Sequence, residues 1–250
     1  MTAIIFGVLL PLFGTALGAA GVFFLRGEGN RRLHTALSGF AAGIMVAASV
    51  WSLLIPAIEA SAEMGKLSFL PAMIGLLCGV GGLILIDLFI PRLYAKAEEK
   101  KSSLCFAVTL HNLPEGMAVG AVFAGLIAGE AGITLAAAMT LSFGVAIQNI
   151  PEGAIVSMPQ YSRGKSKGRA FLTGAASGIV EPIGAAVTIL AASIVVPILP
   201  FLLGFAAGAM LYVVVEELIP EVASGGFPCM GNLMFALGFS LMMALDVALG

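Results

Sequence analysis

Residues 103–128 read SLCFAVTLHNLPEGMAVGAVFAGLIA. The stretch holds one acid, Glu115, one histidine, His111, and no lysine or arginine. It exceeds the ~20 apolar residues that a helix needs to cross a ~30 Å hydrocarbon core. Its strongly polar residues fall inside one block near the middle, His111-Asn112-Leu113-Pro114-Glu115-Gly116. The pattern is that of a transmembrane helix with a polar site at mid-depth, and it sets the fold class: an all-α integral membrane protein.

The rest of the chain agrees. Of 250 residues, 60% are hydrophobic and 10% charged, against about a quarter charged in soluble domains. Mean hydropathy is +1.07. Eight segments read as membrane helices within a single domain, 1–250: 3–25, 33–58, 68–91, 103–128, 132–158, 170–194, 198–219 and 230–249. The sixth and seventh are divided at Val196-Pro197-Ile198-Leu199-Pro200, where two prolines three apart break a helix. Residues 1–25 lack a basic leader and a clear cleavage site, so they read as a first span, not a removed signal peptide. The net charge of −2 gives no sign of a nucleic-acid partner. Cys78, Cys105 and Cys229 form no CxxC pair and read as small core residues.

Eleven of the twelve Lys and Arg residues follow spans one, three and five; only Lys66 falls in an even-numbered loop. Basic loops face the cytoplasm, so both termini are expected outside the cell membrane. Gly39-Phe40-Ala41-Ala42-Gly43-Ile44-Met45 reappears as Gly204-Phe205-Ala206-Ala207-Gly208-Ala209-Met210. The endings LLIP at 53–56 and ELIP at 217–220 follow, one residue out of register. In this topology the copies run in opposite directions, the inverted-repeat signature of secondary transporters. Spans one to three and six to eight would then flank spans four and five.

The polar block also occurs twice. Gln148-Asn149-Ile150-Pro151-Glu152-Gly153 lies 37 positions after the first, on the next, antiparallel span. Residues four apart share a helix face, so His111 sits over Glu115 and Gln148 over Glu152, with Asn112 and Asn149 bordering those faces. Each proline removes a backbone hydrogen bond and frees a carbonyl, at Leu110 and Ile147. Such groups survive in hydrocarbon only beside protein, water or an ion. An ionised carboxylate at mid-membrane costs at least ~3 kcal/mol, and no Lys or Arg lies within a span to offset it. A bound dication is the natural partner. Nitrogen and oxygen ligands without thiolate suit Zn²⁺, and also Fe²⁺ or Mn²⁺.

Glu181, inside span six and followed by Pro182, joins the expected ligand set. Glu216 and Glu217 lie at the inner end of span seven, where they line an exit or simply end a hydrated helix. Glu59, near the outer end of span two, either draws cations or is a solvated boundary charge. Asp87 has no clear role, and Asp246 reads as an interfacial charge. Met45 is either packing or a soft contact beside the pathway. His34, beside an arginine-rich loop, is expected to be solvated.

Taken together, these residues resemble the ZIP (Zrt-/Irt-like protein) family of divalent-metal transporters, prokaryotic type, along nearly the whole chain. The resemblance implies that His111, Asn112 and Glu115 are ligands from span four, and Gln148, Asn149 and Glu152 from span five. Glu181 would complete a two-metal site, and Met45 would approach the metal. Acids at Glu59 and at Glu216 or Glu217 are expected along the entrance and exit. Position 149 is Asn where some two-metal relatives carry Asp, which weakens the second metal position. The loop 92–101 has no histidine, unlike the His-rich loop of many eukaryotic members. The family also implies a homodimer and a metal-holding unit that slides against spans two and seven.

The expected activity is therefore uptake of Zn²⁺ by alternating access, with Fe²⁺, Mn²⁺ or Cd²⁺ as possible cargo. Export or metal/proton exchange would use the same ligands. An intramembrane metalloenzyme is disfavoured, because neither motif has the spacing of HExxH, and a passive channel would show flux without saturation.

Overall fold

In hydrocarbon every backbone group must be satisfied within its own segment or a closed barrel, and this chain resolves the demand with helices. The computed structural model describes residues 1–25, 31–94, 103–130, 133–162 and 164–249; the side chains of 90–94, 103–111, 159, 162 and 249 lie outside that description. No strand occurs among the described residues. The α-helices are α1 (Thr2–Ala20), α2 (Arg31–Ala48), α3 (Ile55–Glu59), α4 (Phe69–Tyr94), α5 (Ser103–Ala128) and α6 (Leu135–Ser162). They continue as α7 (Lys167–Ser177), α8 (Val180–Leu190), α9 (Ala192–Val195), α10 (Leu199–Val213), α11 (Ile219–Ser224) and α12 (Pro228–Leu249). Among the described residues six continuous helical stretches are long and apolar enough to cross a membrane: Thr2–Phe24, Arg31–Glu59, Phe69–Phe89, Lys167–Leu190, Ala192–Ser224 and Pro228–Ala248. α5 and α6, which carry the polar blocks, are not among them; the apolar part of α5 within that description is Asn112–Ala128.

Packing follows small residues. α2 lies against α12, α10 against α4, α1 against α6, and α5 against α8. At Gly39 and Gly43 a methyl group would overlap the backbone of Gly231 and Phe235 on α12. At Gly204 and Gly208 it would overlap the backbone of Ala72 and Leu76 on α4. Backbone contact this close requires glycine, as in other membrane helix pairs. The apolar core is built of small and medium side chains, with Phe123, Ile44, Leu141, Leu199 and Leu203 its largest fully buried members.

Two stretches widen to π-helix, Ser49–Leu54 and Val214–Leu218. Each begins ten positions after the first glycine of a GFAAG segment and is followed by Ile-Pro, Ile55-Pro56 and Ile219-Pro220. Proline cannot bond the carbonyl four residues back and crowds it; a wider turn relieves that clash. The first π segment has six residues and the second five. That one residue accounts for the offset between the LLIP and ELIP endings.

The sequence reading places one break, at 196–200. The backbone does leave the helical path there, at Ile198 (φ −116°, ψ 17°), and also earlier, at Ala191 (φ −88°, ψ 18°). A further interruption at Gly178 separates α7 from α8. Pro182 lacks the N–H that would bond the Gly178 carbonyl, which explains an interruption just before Glu181.

Candidate metal centre

The two polar blocks meet where α5, α6, α8 and α1 come together. Pro114 interrupts the hydrogen-bond ladder of α5 and Pro151 that of α6, next to the side chains concerned. The glycine closing each block sets the spacing of the helices. A methyl at Gly116 would strike the backbone of Glu181, and one at Gly153 the carbonyl of Thr15. Gly116 thus brings Glu181 onto α5, and Gly153 brings Thr15 onto α6.

Glu181 is fully buried and sits at the centre. Its Oε1 accepts from Asn112 Nδ2 at 2.9 Å and from Thr15 Oγ1 at 3.1 Å, and its Oε2 accepts from Asn149 Nδ2 at 2.8 Å. One turn along α5, the buried Glu115 accepts through Oε1 from Gln148 Nε2 at 2.7 Å. The Asn amides also touch backbone carbonyls: Asn112 Nδ2 reaches Ser177 O and Asn149 Nδ2 reaches Pro11 O, each at 3.3 Å. Glu152, half-buried, lies close enough to Glu115 and Glu181 for their charges to interact.

Every amide in this cluster aims its nitrogen at a carboxylate or a carbonyl, which leaves the oxygens over. Asn112 Oδ1, Glu115 Oε2, Gln148 Oε1 and Asn149 Oδ1 are buried and accept no hydrogen bond from the described residues. Buried polar atoms are normally paired, so four such acceptors in one place call for an explanation. Hard oxygen acceptors at two buried carboxylates, with no hydrogen bond or ion pair from a lysine or arginine among the described residues, could serve as the donor set of a divalent cation.

Asn112 and Asn149 are brought onto Glu181, and Gln148 onto Glu115, with Glu152 near both acids. His111 lies on α5 one turn before Glu115, and its side chain is outside the described set. Met45 is fully buried in the apolar core of α2. Glu59 is exposed at the end of α3; Glu216 is exposed and Glu217 half-buried on the second π segment. Among the described residues no three His, Cys, Asp or Glu side chains converge on one point; the amides supply what the acids do not.

Several residues gain a role that the sequence did not give them. Thr15 is a ligand of the Glu181 carboxylate, and nothing marks a threonine in an apolar helix as special. Asp246 accepts from Ser52 Oγ at 2.6 Å, joining α12 to the first π segment. Asp87 accepts from Tyr212 Oη at 2.6 Å, joining α4 to α10. His34, expected to be solvated, instead pairs through Nδ1 with Glu221, which also accepts from Ser38 Oγ at 3.1 Å. Chain separations of more than a hundred residues hid these pairs.

Comparison with known proteins leads to the same family. A family model described as ZIP Zinc transporter matches residues 102–246, the part that contains both polar blocks and Glu181. The chain is 34% identical to zinc transporter ZIP11 of Xenopus tropicalis, covering 98% of this chain and 96% of that protein. It is 37% identical to zinc transporter ZIPB of Bordetella bronchiseptica, with 94% and 78% covered. It is 36% identical to zinc transporter GufA of Myxococcus xanthus, with 97% of each covered. With a family model spanning more than half of the chain, and relatives above 30% identity along nearly all of it, the chain belongs to the ZIP family of zinc transporters, which are membrane proteins and not enzymes.

Proposed function

We propose that the chain takes up Zn²⁺ into the cytoplasm by alternating access through the centre formed by His111, Asn112, Glu115, Gln148, Asn149, Glu152 and Glu181. The observation that carries this reading is a set of three buried amide oxygens and the second oxygen of Glu115, none of which accepts a hydrogen bond from the described residues, beside the buried Glu181 carboxylate. An arriving dication supplies the charge the carboxylates lack and the partner the amide oxygens lack. Fe²⁺, Mn²⁺ and Cd²⁺ meet the same ligand chemistry. Met45, on the helix that packs against α6, is assigned the soft contact at the edge of the centre. Glu59 serves the entrance, and Glu216 with Glu217 the exit. With Asn149 donating to Glu181, the second metal position is the weaker one.

The architecture we assign has eight crossings, with α5 and α6 as the central pair and both termini outside the cell membrane. The inverted repeat is supported by how the helices pair. Exchanging spans one to three with six to eight, and four with five, converts the α2–α12 contact into α10–α4 and the α1–α6 contact into α8–α5. The same exchange carries Gly39 on Gly231 into Gly204 on Ala72, and Gly238 on Phe40 into Gly79 on Phe205. A homodimer, as in the family resemblance, is part of the same reading.

The decisive experiment loads proteoliposomes with a zinc indicator and follows entry through wild type, His111→Ala and Glu115→Gln. Saturable wild-type entry, lost in both variants, is the expected result. Unchanged entry in the variants would remove the assigned centre, and net efflux against the imposed gradient would reverse the direction.

A further inference from the structure

Two residues of α1 reach into the metal centre, and the polar blocks account for neither. Thr15 is fully buried, and its Oγ1 lies 3.1 Å from Glu181 Oε1 and 3.3 Å from the carbonyl oxygen of Pro11. The same Pro11 carbonyl accepts from Asn149 Nδ2 at 3.3 Å. Thr15 is wedged between two glycines. A methyl at Gly153 on α6 would strike its carbonyl, and one at Gly178, just before α8, would strike its side chain. Close packing on both sides holds the hydroxyl against Glu181.

A threonine hydroxyl has one hydrogen and two lone pairs. Two acceptors share that hydrogen here, Glu181 Oε1 and the Pro11 carbonyl. Rotation about the Cβ–Oγ1 bond hands it from one to the other, with no proton leaving the side chain. With the hydrogen on Pro11, a lone pair is turned toward the Glu181 side. The other donors to Glu181 are the amide nitrogens of Asn112 and Asn149. An amide nitrogen has no lone pair to offer, so it can only withdraw before an ion. The spacing also suits a shared ion. Zinc–oxygen bonds of ~2.1 Å at octahedral or tetrahedral angles set neighbouring ligand oxygens about 3.0–3.4 Å apart, and the Thr15–Glu181 separation of 3.1 Å lies in that range. We propose, building on the assignment of this centre to zinc, that Thr15 is a switchable ligand. It donates to Glu181 until a dication arrives, then turns its hydrogen to Pro11 and coordinates the ion beside Glu181. α1 thereby joins α5, α6 and α8 as a ligand-bearing helix, and its hard oxygen favours Zn²⁺ over the softer Cd²⁺.

The test exchanges the oxygen for sulfur. Full-length wild type, Thr15→Cys and Thr188→Cys in mild detergent are titrated with Cd²⁺ and followed by thiolate-to-metal absorption in the ultraviolet and by calorimetry. Thr188 is a buried threonine on α8 whose hydroxyl donates to the Gly184 carbonyl at 2.8 Å, seven positions beyond Glu181. Thr15→Cys is expected to gain a thiolate band over wild type that saturates with the bound Cd²⁺, and to bind Cd²⁺ about tenfold more tightly. Thr188→Cys should gain no band. Cadmium binding without an added band in Thr15→Cys overturns the inference, because a threonine that only positions Glu181 brings no sulfur to the ion. A band of equal size in Thr188→Cys overturns it too. Zinc calorimetry decides the matter even if the cysteine variant does not fold. Thr15→Val should bind Zn²⁺ about tenfold more weakly, and Thr15→Ser, which keeps the oxygen, should recover most of that loss. Zinc affinity that falls in Glu115→Gln but not in Thr15→Val removes Thr15 and leaves the centre standing. Affinity unchanged in both removes the centre, and the role of Thr15 with it.

Discussion

Both oxygens of the Glu181 carboxylate are held by neutral donors, Asn112, Asn149 and Thr15. A hydrogen bond to a charged group contributes about 1.5–3 kcal/mol. Thr15→Val removes one donor and keeps the shape, so thermal unfolding of the purified protein should show a loss of that order; Thr15→Ser should stay near wild type. Equal stability of the Val and Ser variants would mean that the hydroxyl bonds only to the Pro11 carbonyl, which it also approaches at 3.3 Å. Glu115→Gln tests the other carboxylate. It keeps the volume beside Gln148 but removes charge, so zinc affinity measured by calorimetry should fall at least tenfold while the helix content stays the same. At this scale the sequence shows the two polar blocks well, because i, i+4 spacing and proline are local signals. It does not show Thr15, whose role exists only once α1 has packed against α6 and α8. Nor does it show that the amides turn their nitrogens to the acids and leave their oxygens without a partner among the described residues, since both blocks spell the same residues in either orientation.

Among the helices, glycine separates contact from mere composition. By intrinsic propensity any mid-helix Gly→Ala exchange should stabilise by about 1 kcal/mol. Gly81 on α4 has open space where a methyl would go, so Gly81→Ala should show that gain in thermal unfolding. Gly43 on α2 lies against the Phe235 carbonyl, and Gly153 on α6 against Thr15. Gly43→Ala and Gly153→Ala should lose about 1–3 kcal/mol through overpacking. If all three variants moved alike, the close approach of α2 to α12 and of α6 to α1 would be wrong. The repeat of GFAAG is legible in the sequence, and so is the one-residue mismatch of the endings. The cause of that mismatch is not, because a π turn is a property of hydrogen bonding and leaves only a following proline as a trace. One break, at Ile198, falls between the two prolines, and the other, at Ala191, lies six residues before the first. Proline restrains the turn before it as well as its own position.

For the whole molecule, ligand linkage provides a direct reading. A cation that binds only the folded centre stabilises it by about 2.7 kcal/mol at one hundred times its dissociation constant. Added zinc should therefore raise the midpoint of thermal unfolding in wild type, and chelator should reverse the rise. Glu115→Gln should show little of either, and an equal zinc response in that variant would place the ion elsewhere. Composition alone made the membrane class legible, because charge is so sparse. The assembly of four helices around Glu181 was not, because residues 15, 112, 149 and 181 carry no covarying signal within a single sequence.

The amide clamps on the carboxylates also bear on speed. A carrier that holds its cargo too firmly stalls, since the energy of the bound state adds to the barrier for leaving. In the proposed centre, each nitrogen resting on Glu181 or Glu115 is a competitor that the ion would displace on arrival and that would return on departure. Such a centre would be softened, trading occupancy for throughput. Asn149→Asp removes one such competitor and adds a charge, so its half-saturating zinc concentration and its maximal uptake rate should both fall. A variant that bound more tightly and also ran faster would show that release is not the slow step.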